Sequence, residues 1–144
     1  AYEISLGLVG SEMCIRDMED LVLTGDMTAE LYISSDAPDT DFVVRVTDVD
    51  ENGRSIKLAD GLLSARYRNG FARSEFLQEG EIVCLKIRTT KLSNCFRKGH
   101  RIRVTVTSSA KNFIFPNSNT REGFASARTV VAQISMGSCS THPG

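Results

Sequence analysis

The chain has 144 residues, 41% of them hydrophobic and 24% charged, which fits one soluble domain with a single core. Lys plus Arg total 17 against 18 for Asp plus Glu, and neither sign collects into a long run, so neither a nucleic-acid groove nor an anionic membrane surface is expected as a partner. No stretch approaches the roughly 20 apolar residues of a membrane span, and the apolar residues 4–10 follow Glu3 rather than a basic segment and lead to no Ala-x-Ala site, which argues against a signal peptide.

From Met18 onward the sequence predicts strands punctuated by turns, with no apolar period of 3.6 residues long enough for a helix of several turns. Met27, Ala29, Leu31 and Ile33 alternate with Thr28, Glu30, Tyr32 and Ser34, the pattern of a half-buried strand ending near Ser35. Asp36, Pro38 and Asp39 make a turn, after which Phe42, Val44 and Val46 point inward and Val43, Arg45 and Thr47 outward on a second strand. Asn52-Gly53 tolerates positive φ and predicts a tight hairpin, with a return strand over residues 54–58. Residues 61–68 are mixed and predict a separate short extended segment closed by Asn69-Gly70.

Two further strands are expected over residues 81–88, with Val83, Leu85 and Ile87 on one face, and 101–107, with Ile102, Val104 and Val106 on one face. Residues 111–123 hold Asn112, Pro116, Asn117, Asn119 and Gly123 and predict a long loop anchored by Phe113 and Phe115. A last strand is expected over residues 128–136. About seven strands at this spacing make the fold class all-β, a two-sheet sandwich with Greek-key or jelly-roll connections.

Catalytic chemistry finds little footing in these residues. A serine hydrolase commonly carries its nucleophile on a Gly-x-Ser-x-Gly elbow between strand and helix; the nearest approximation, around Ser11, lacks the second Gly and any following helix. His100, at a strand entrance, is expected to bond to nearby loop backbone, and His142 lies two residues from the last position. Asp48, Asp50, Asn52 and Gly53 open like a calcium-binding EF-hand loop, but the position that needs a bidentate Glu is Ala59. Asp36, Asp39 and Asp41 are expected to hold an Asp/Pro turn through bonds to backbone. Glu79 with Glu81, or Asp48 with Asp50, imitates a glycosidase pair and is expected on solvated surface. Cys14, Cys84, Cys95 and Cys139 contain no Cys-x-x-Cys pair and are expected as free thiols, with Cys84 in a strand. No catalytic, cofactor-binding or metal-binding residue, and no cofactor, is therefore expected in this chain.

The particular words carry more than the periodicity. The runs LYISSDAPDTDF at 31–42, TDVDENGR at 47–54 and DGLLSARYR at 60–68, followed by FRKGHRIRV at 96–104, Ser108-Ser109 and FPNSNT at 115–120, closely resemble the C-terminal domain of X-Pro dipeptidyl peptidases and of the cocaine esterase group of serine hydrolases. The resemblance implies a jelly-roll sandwich resembling galactose-binding domains. It also implies a partner: a preceding α/β-hydrolase domain in the same parent protein, which holds the Ser-His-Asp triad and against which the sandwich packs, helping to wall the cleft. No triad residue transfers to this sequence, so the chain itself has no expected activity, while its parent would be a dipeptidyl-peptidase, esterase or acylase that can form a homo-oligomer.

The resemblance also divides the chain. Residues 18–144 resemble the family domain, whereas residues 1–17, with the run SLGLVGSEMCIRD at 5–17, do not resemble its first strands and look like translated sequencing-adapter read-through. Residues 140–144 resemble the approach to the family's final strand, so the domain is expected to be incomplete at both ends. Edges left unpaired in that way would favour aggregation. The rival reading is a free-standing jelly-roll module that binds carbohydrate or another ligand, whose aromatic candidates are Tyr67, Phe71, Phe113 and Phe115 in a chain without Trp.

Overall fold

The structure is a computed structural model that describes residues 12–16, 19–110, 112–123 and 126–137. Among these residues there are nine strands and no α-helix: β1 (Glu12–Arg16), β2 (Leu21–Gly25), β3 (Thr28–Ser35), β4 (Asp41–Val49), β5 (Ser55–Ser64), β6 (Val83–Arg88), β7 (Leu92–Phe96), β8 (Arg101–Thr107) and β9 (Ile134–Gly137), with one 3-10 turn at Ala65–Tyr67. The strands pair antiparallel into a four-stranded sheet β1-β8-β4-β5, a three-stranded sheet β6-β3-β9 and a two-stranded ribbon β2-β7. The fold is a β-sandwich.

The alternating residues read from the sequence form its centre. Leu31 and Ile33 of β3 and Leu85 and Ile87 of β6 meet Phe42 and Val44 of β4 and Val104 and Val106 of β8 in one cluster. Val46, Ala59, Leu92, Phe96 and Ile102 form a second, with Leu21, Leu23 and Met27 of the ribbon side packed against it. Phe42, Phe96, Leu85 and Val106 have no exposed surface, and full burial of each such side chain stabilises the fold by about 1.5–3 kcal/mol.

Several expectations need correction. The return strand is not confined to 54–58, and residues 61–68 are not a separate segment: β5 runs on to Ser64 before the 3-10 turn. Val46 pairs with Ala59 but Thr47 pairs with Lys57, so Leu58 is bulged and the alternation changes phase in mid-strand. The last strand is shorter than 128–136, because Val130 donates its N–H to the Ser118 carbonyl and accepts from Asn119 Nδ2, leaving it no sheet partner. The ribbon strands β2 and β7 carry no prediction in the sequence, and β1 lies within the segment set apart there.

Gly61 marks a close approach between the two sheets. A Cβ at this position would lie 2.7 Å from the Arg88 carbonyl oxygen and 3.0 Å from Ile87 Cγ2, so only hydrogen fits between β5 and the end of β6. The same crossing is hydrogen-bonded, with Thr90 N–H donating to the Asp60 carbonyl at 2.9 Å. Gly61→Ala should therefore destabilise the domain by about 1–3 kcal/mol, measured by urea unfolding; an unchanged midpoint would show that the crossing can relax.

The opposite face of the four-stranded sheet carries a charged set. Arg45 faces its register partner Asp60, donating from Nε at 2.8 Å, and Lys57 Nζ reaches the other carboxylate oxygen at 2.9 Å. Burial pushes the Asp60 carboxyl up, but the hydrogen bonds and charges of Arg45 and Lys57 outweigh it and hold the group below the ordinary carboxylate range. The stabilisation that follows is complete above the unfolded pKa of about 4 and is lost as pH falls through the folded value. Asp60→Asn should lower stability at pH 7, with the gap to wild type closing as thermal unfolding is repeated at pH values falling below about 4.

Candidate functional site

Where the chain leaves β3 it makes a turn in which Ser35 Oγ accepts from the Ala37 N–H and Asp36 Oδ1 accepts from the Gln133 N–H at 2.7 Å. The turn delivers Asp39 to a position with no exposed surface. A carboxylate there needs a partner for each oxygen. Asp39 Oδ1 accepts the Arg66 backbone N–H at 2.9 Å, and Oδ2 accepts Arg66 Nε at 2.8 Å and Asn117 Nδ2 at 2.7 Å. Asn117 Nδ2 also reaches Asp41 Oδ1 at 2.8 Å, the oxygen that accepts Ser64 Oγ.

Arg66 completes the junction from the 3-10 turn. Its terminal nitrogens donate to the Thr120 carbonyl at 2.8 Å and the Arg121 carbonyl at 3.2 Å, and its guanidinium lies 5.1 Å from the Phe76 ring centroid, which Arg121 also approaches at 4.8 Å. The long segment after β8 is thus tied to the end of the sandwich. Within it Asn119 sits at φ 60°, Ser118 Oγ bonds to Thr120 Oγ1 and to the Gly123 carbonyl, and Ser118 and Thr120 are buried. A small hollow of about 140 Å³ lies over the junction, lined by Asp39, Asp41, Arg66, Tyr67, Phe115 and Asn117 among others.

The aromatic side chains gather at the same end. Tyr67 and Phe71 are 5.5 Å apart between ring centroids. Phe71 is 80% exposed and Phe115 is 88% exposed. Phe113 instead lies against the outer sheet face, with Lys57 Nζ 5.7 Å and the Arg45 guanidinium 6.0 Å from its ring centroid.

The residues singled out in sequence are not brought together as a catalytic or metal centre. His100 does not bond to loop backbone: its Nδ1 shares a 2.9 Å hydrogen bond with Asp48 Oδ1, because Asp48 faces inward where the core ends and β8 begins beside it. Asn94 Nδ2 approaches the other Asp48 oxygen at 3.3 Å. Asp50 Oδ1 accepts the Asn52 and Arg54 N–H groups within the hairpin turn, so it and Asp48 do not converge, and Ala59 is in the core. Asp36 and Asp39 each accept a backbone N–H, from Gln133 and Arg66, but these donors lie far along the chain rather than within one turn; Asp39 also binds the Arg66 and Asn117 side chains, and Asp41 binds those of Asn117 and Ser64.

Glu79 and Glu81 are exposed, and Cys84 and Cys95 are free thiols. Ser11, His142 and Cys139 lie outside the described residues, as does the side chain of Cys14. Among the described residues no group of three His, Cys, Asp or Glu could hold a metal ion, and no helix is long and apolar enough to cross a membrane. The partners of Asp39 have no chemical signature of their own in the sequence; Arg66 and Asn117 stand inside the runs DGLLSARYR and FPNSNT, which only the family resemblance marks out.

Fold and site together define a β-sandwich domain whose organised end is a loop junction beside an aromatic surface. The chain belongs to the family described as the X-Pro dipeptidyl-peptidase C-terminal non-catalytic domain, whose signature matches residues 18–139. It is 39% identical over 120 residues to the cocaine esterase of Rhodococcus sp. (strain MB1 Bresler), covering 80% of this chain and 21% of that protein. An aminopeptidase structure from a marine sediment archaeon, Thaumarchaeota archaeon, superposes with a TM-score of 0.80 at 25% identity, over 88% of this chain and 23% of that one. An α-amino acid ester hydrolase gives 0.79 at 21% identity over 88% and 23%, and a CocE/NonD family hydrolase from Staphylococcus aureus gives 0.73 at 17% over 90% and 28%; both share the fold. The chain therefore spans between a fifth and three-tenths of the length of these relatives.

Arg66→Met should leave the Asp39 carboxylate buried without its cation and cost about 3–5 kcal/mol, whereas Asn117→Ala should cost about 1–3 kcal/mol. Denaturant unfolding of the two variants checks the order; a smaller loss for Arg66→Met than for Asn117→Ala would contradict the junction's described hierarchy.

Proposed function

We propose that this chain is the non-catalytic β-sandwich domain of a CocE/NonD-type serine hydrolase, packing on an α/β-hydrolase domain of the same polypeptide and shaping access to its cleft. The observation that carries this reading is the family match over residues 18–139, taken with a chain that spans only 21% of the cocaine esterase it resembles. The bond cleaved by the parent, whether peptide, ester or amide, belongs to the domain that would hold the triad. The family signature begins at residue 18, which sets residues 1–17 apart by sequence, while Glu12–Arg16 pairs with β8 as the edge strand of the four-stranded sheet; the nucleotide sequence encoding residues 1–17 tests whether they are native to the protein.

The sandwich contributes by structure rather than by chemistry. Its own polar groups meet one another in hydrogen-bonded sets, at Asp39–Arg66–Asn117 and at Asp48–His100. Domains of one chain commonly meet across about 600–1,500 Å².

Replacing the matched segment of the Rhodococcus cocaine esterase with the whole 144-residue chain tests the reading. The chimera should hydrolyse 4-nitrophenyl acetate where the segment-deleted enzyme does not, while the 144-residue chain alone should show neither turnover nor fluorophosphonate labelling. A chimera no more active than the deletion, or a labelled and turning-over serine in the chain alone, would overturn it.

A further inference from the structure

We infer that the aromatic surface formed by Tyr67, Phe71 and Phe115 is the face that docks on the hydrolase domain; this rests on the function proposed above and adds to it which side of the sandwich is covered. Phe71 and Phe115 are the two most exposed large hydrophobic residues described, at 80% and 88%, and they stand at the same end. Tyr67 connects them, stacking on Phe71 at 5.5 Å and lining with Phe115 the hollow above Asp39. The other strongly exposed apolar side chains, Val22 on β2, Ile82 before β6 and Val131 before β9, are aliphatic and lie on other stretches of chain. Scattered single residues of that kind are ordinary surface, whereas a contiguous aromatic group is not.

The mounting of these rings is the second argument. Phe115 is followed by Pro116 and then Asn117, whose side-chain amide bonds to two carboxylates, one of them fully buried. Tyr67 follows Arg66, which is anchored through its backbone N–H, Nε and both terminal nitrogens. The backbone that carries Tyr67 and Phe115 is thus held in place before any partner arrives, and an anchor mounted on ordered backbone loses less conformational freedom on docking.

Area and chain length identify the occupant. An aromatic side chain can bury about 150–250 Å², so two nearly free Phe rings account for a large part of the roughly 600–1,500 Å² of an interdomain contact. In the relatives this domain is 21–28% of the chain, and the family is described as C-terminal, so the polypeptide available to cover the rings is the larger part that precedes it.

The same chimera carries the test. Phe71→Cys, Phe115→Cys, Ile82→Cys and Val22→Cys are made singly, and maleimide labelling at each position is followed by peptide mass spectrometry. Docking should slow Phe71→Cys and Phe115→Cys about tenfold or more relative to Ile82→Cys and Val22→Cys, and the double variant Phe71→Ser/Phe115→Ser should lose activity faster on heating than Ile82→Ser/Val22→Ser. An active chimera in which all four cysteines label alike overturns the inference and leaves the proposed function standing. Protection at Phe71→Cys and Phe115→Cys that develops only on adding an oligosaccharide, or only with chimera concentration, likewise overturns it in favour of a sugar or a second copy. A chimera without activity counts against the function proposed above.

Discussion

Asp39 has no exposed surface, and an ionised carboxylate in that position is tolerable only when each of its oxygens meets a donor. Arg66 supplies two of those donors and Asn117 the third, across 27 and 78 residues of sequence. The shape of one whole end of the sandwich follows. Arg66 fixes the 3-10 turn after β5 and pulls the backbone at Thr120 and Arg121 against it, while Asn117 brings in the segment that has just left β8. A single buried charge thus organises three stretches of chain that share no sheet.

This arrangement also explains why the route from β8 to β9 can be long without being loose. Residues 112–123 and 126–133 have almost no regular structure, yet backbone groups among them are taken up by Ser118, Asn119 and Asp36 side chains. Such bonds are the local alternative to a strand ladder. They let the chain cross from the four-stranded sheet to the three-stranded one while holding Phe115 out in solvent.

What the sequence makes legible is set by burial on one side only. β3, β4, β6 and β8 alternate because one face of each meets the core, and their inward residues were readable as Leu31, Val44, Leu85 and Val104. β5 was read only as far as Leu58, since the bulge there changes the phase and Gly61 looks like a break when it is a close contact with the end of β6. β2 and β7 are five residues each and leave Val22 and Cys95 exposed, too short and too mixed for a period to emerge. At the junction Asp39, Asp41 and the aromatic rings could be named in advance, but a bond between residues 78 positions apart leaves no local pattern, and Arg66 and Asn117 were visible only as letters in a family's vocabulary.

The hairpin between β4 and β5 lies at the far end from all of this. β4 runs nine residues from Asp41 beside the junction to Val49, a span of roughly 30 Å. Its turn is self-contained: Gly53 takes the left-handed conformation at φ 84°, and Asp50 closes the loop with bonds to Asn52 and Arg54. The tip is exposed and remote from the aromatic surface. A reporter such as a fluorophore or an epitope attached at Asn52 would therefore ride on the sandwich as on a handle, signalling its presence and orientation without touching the end that meets the rest of the protein.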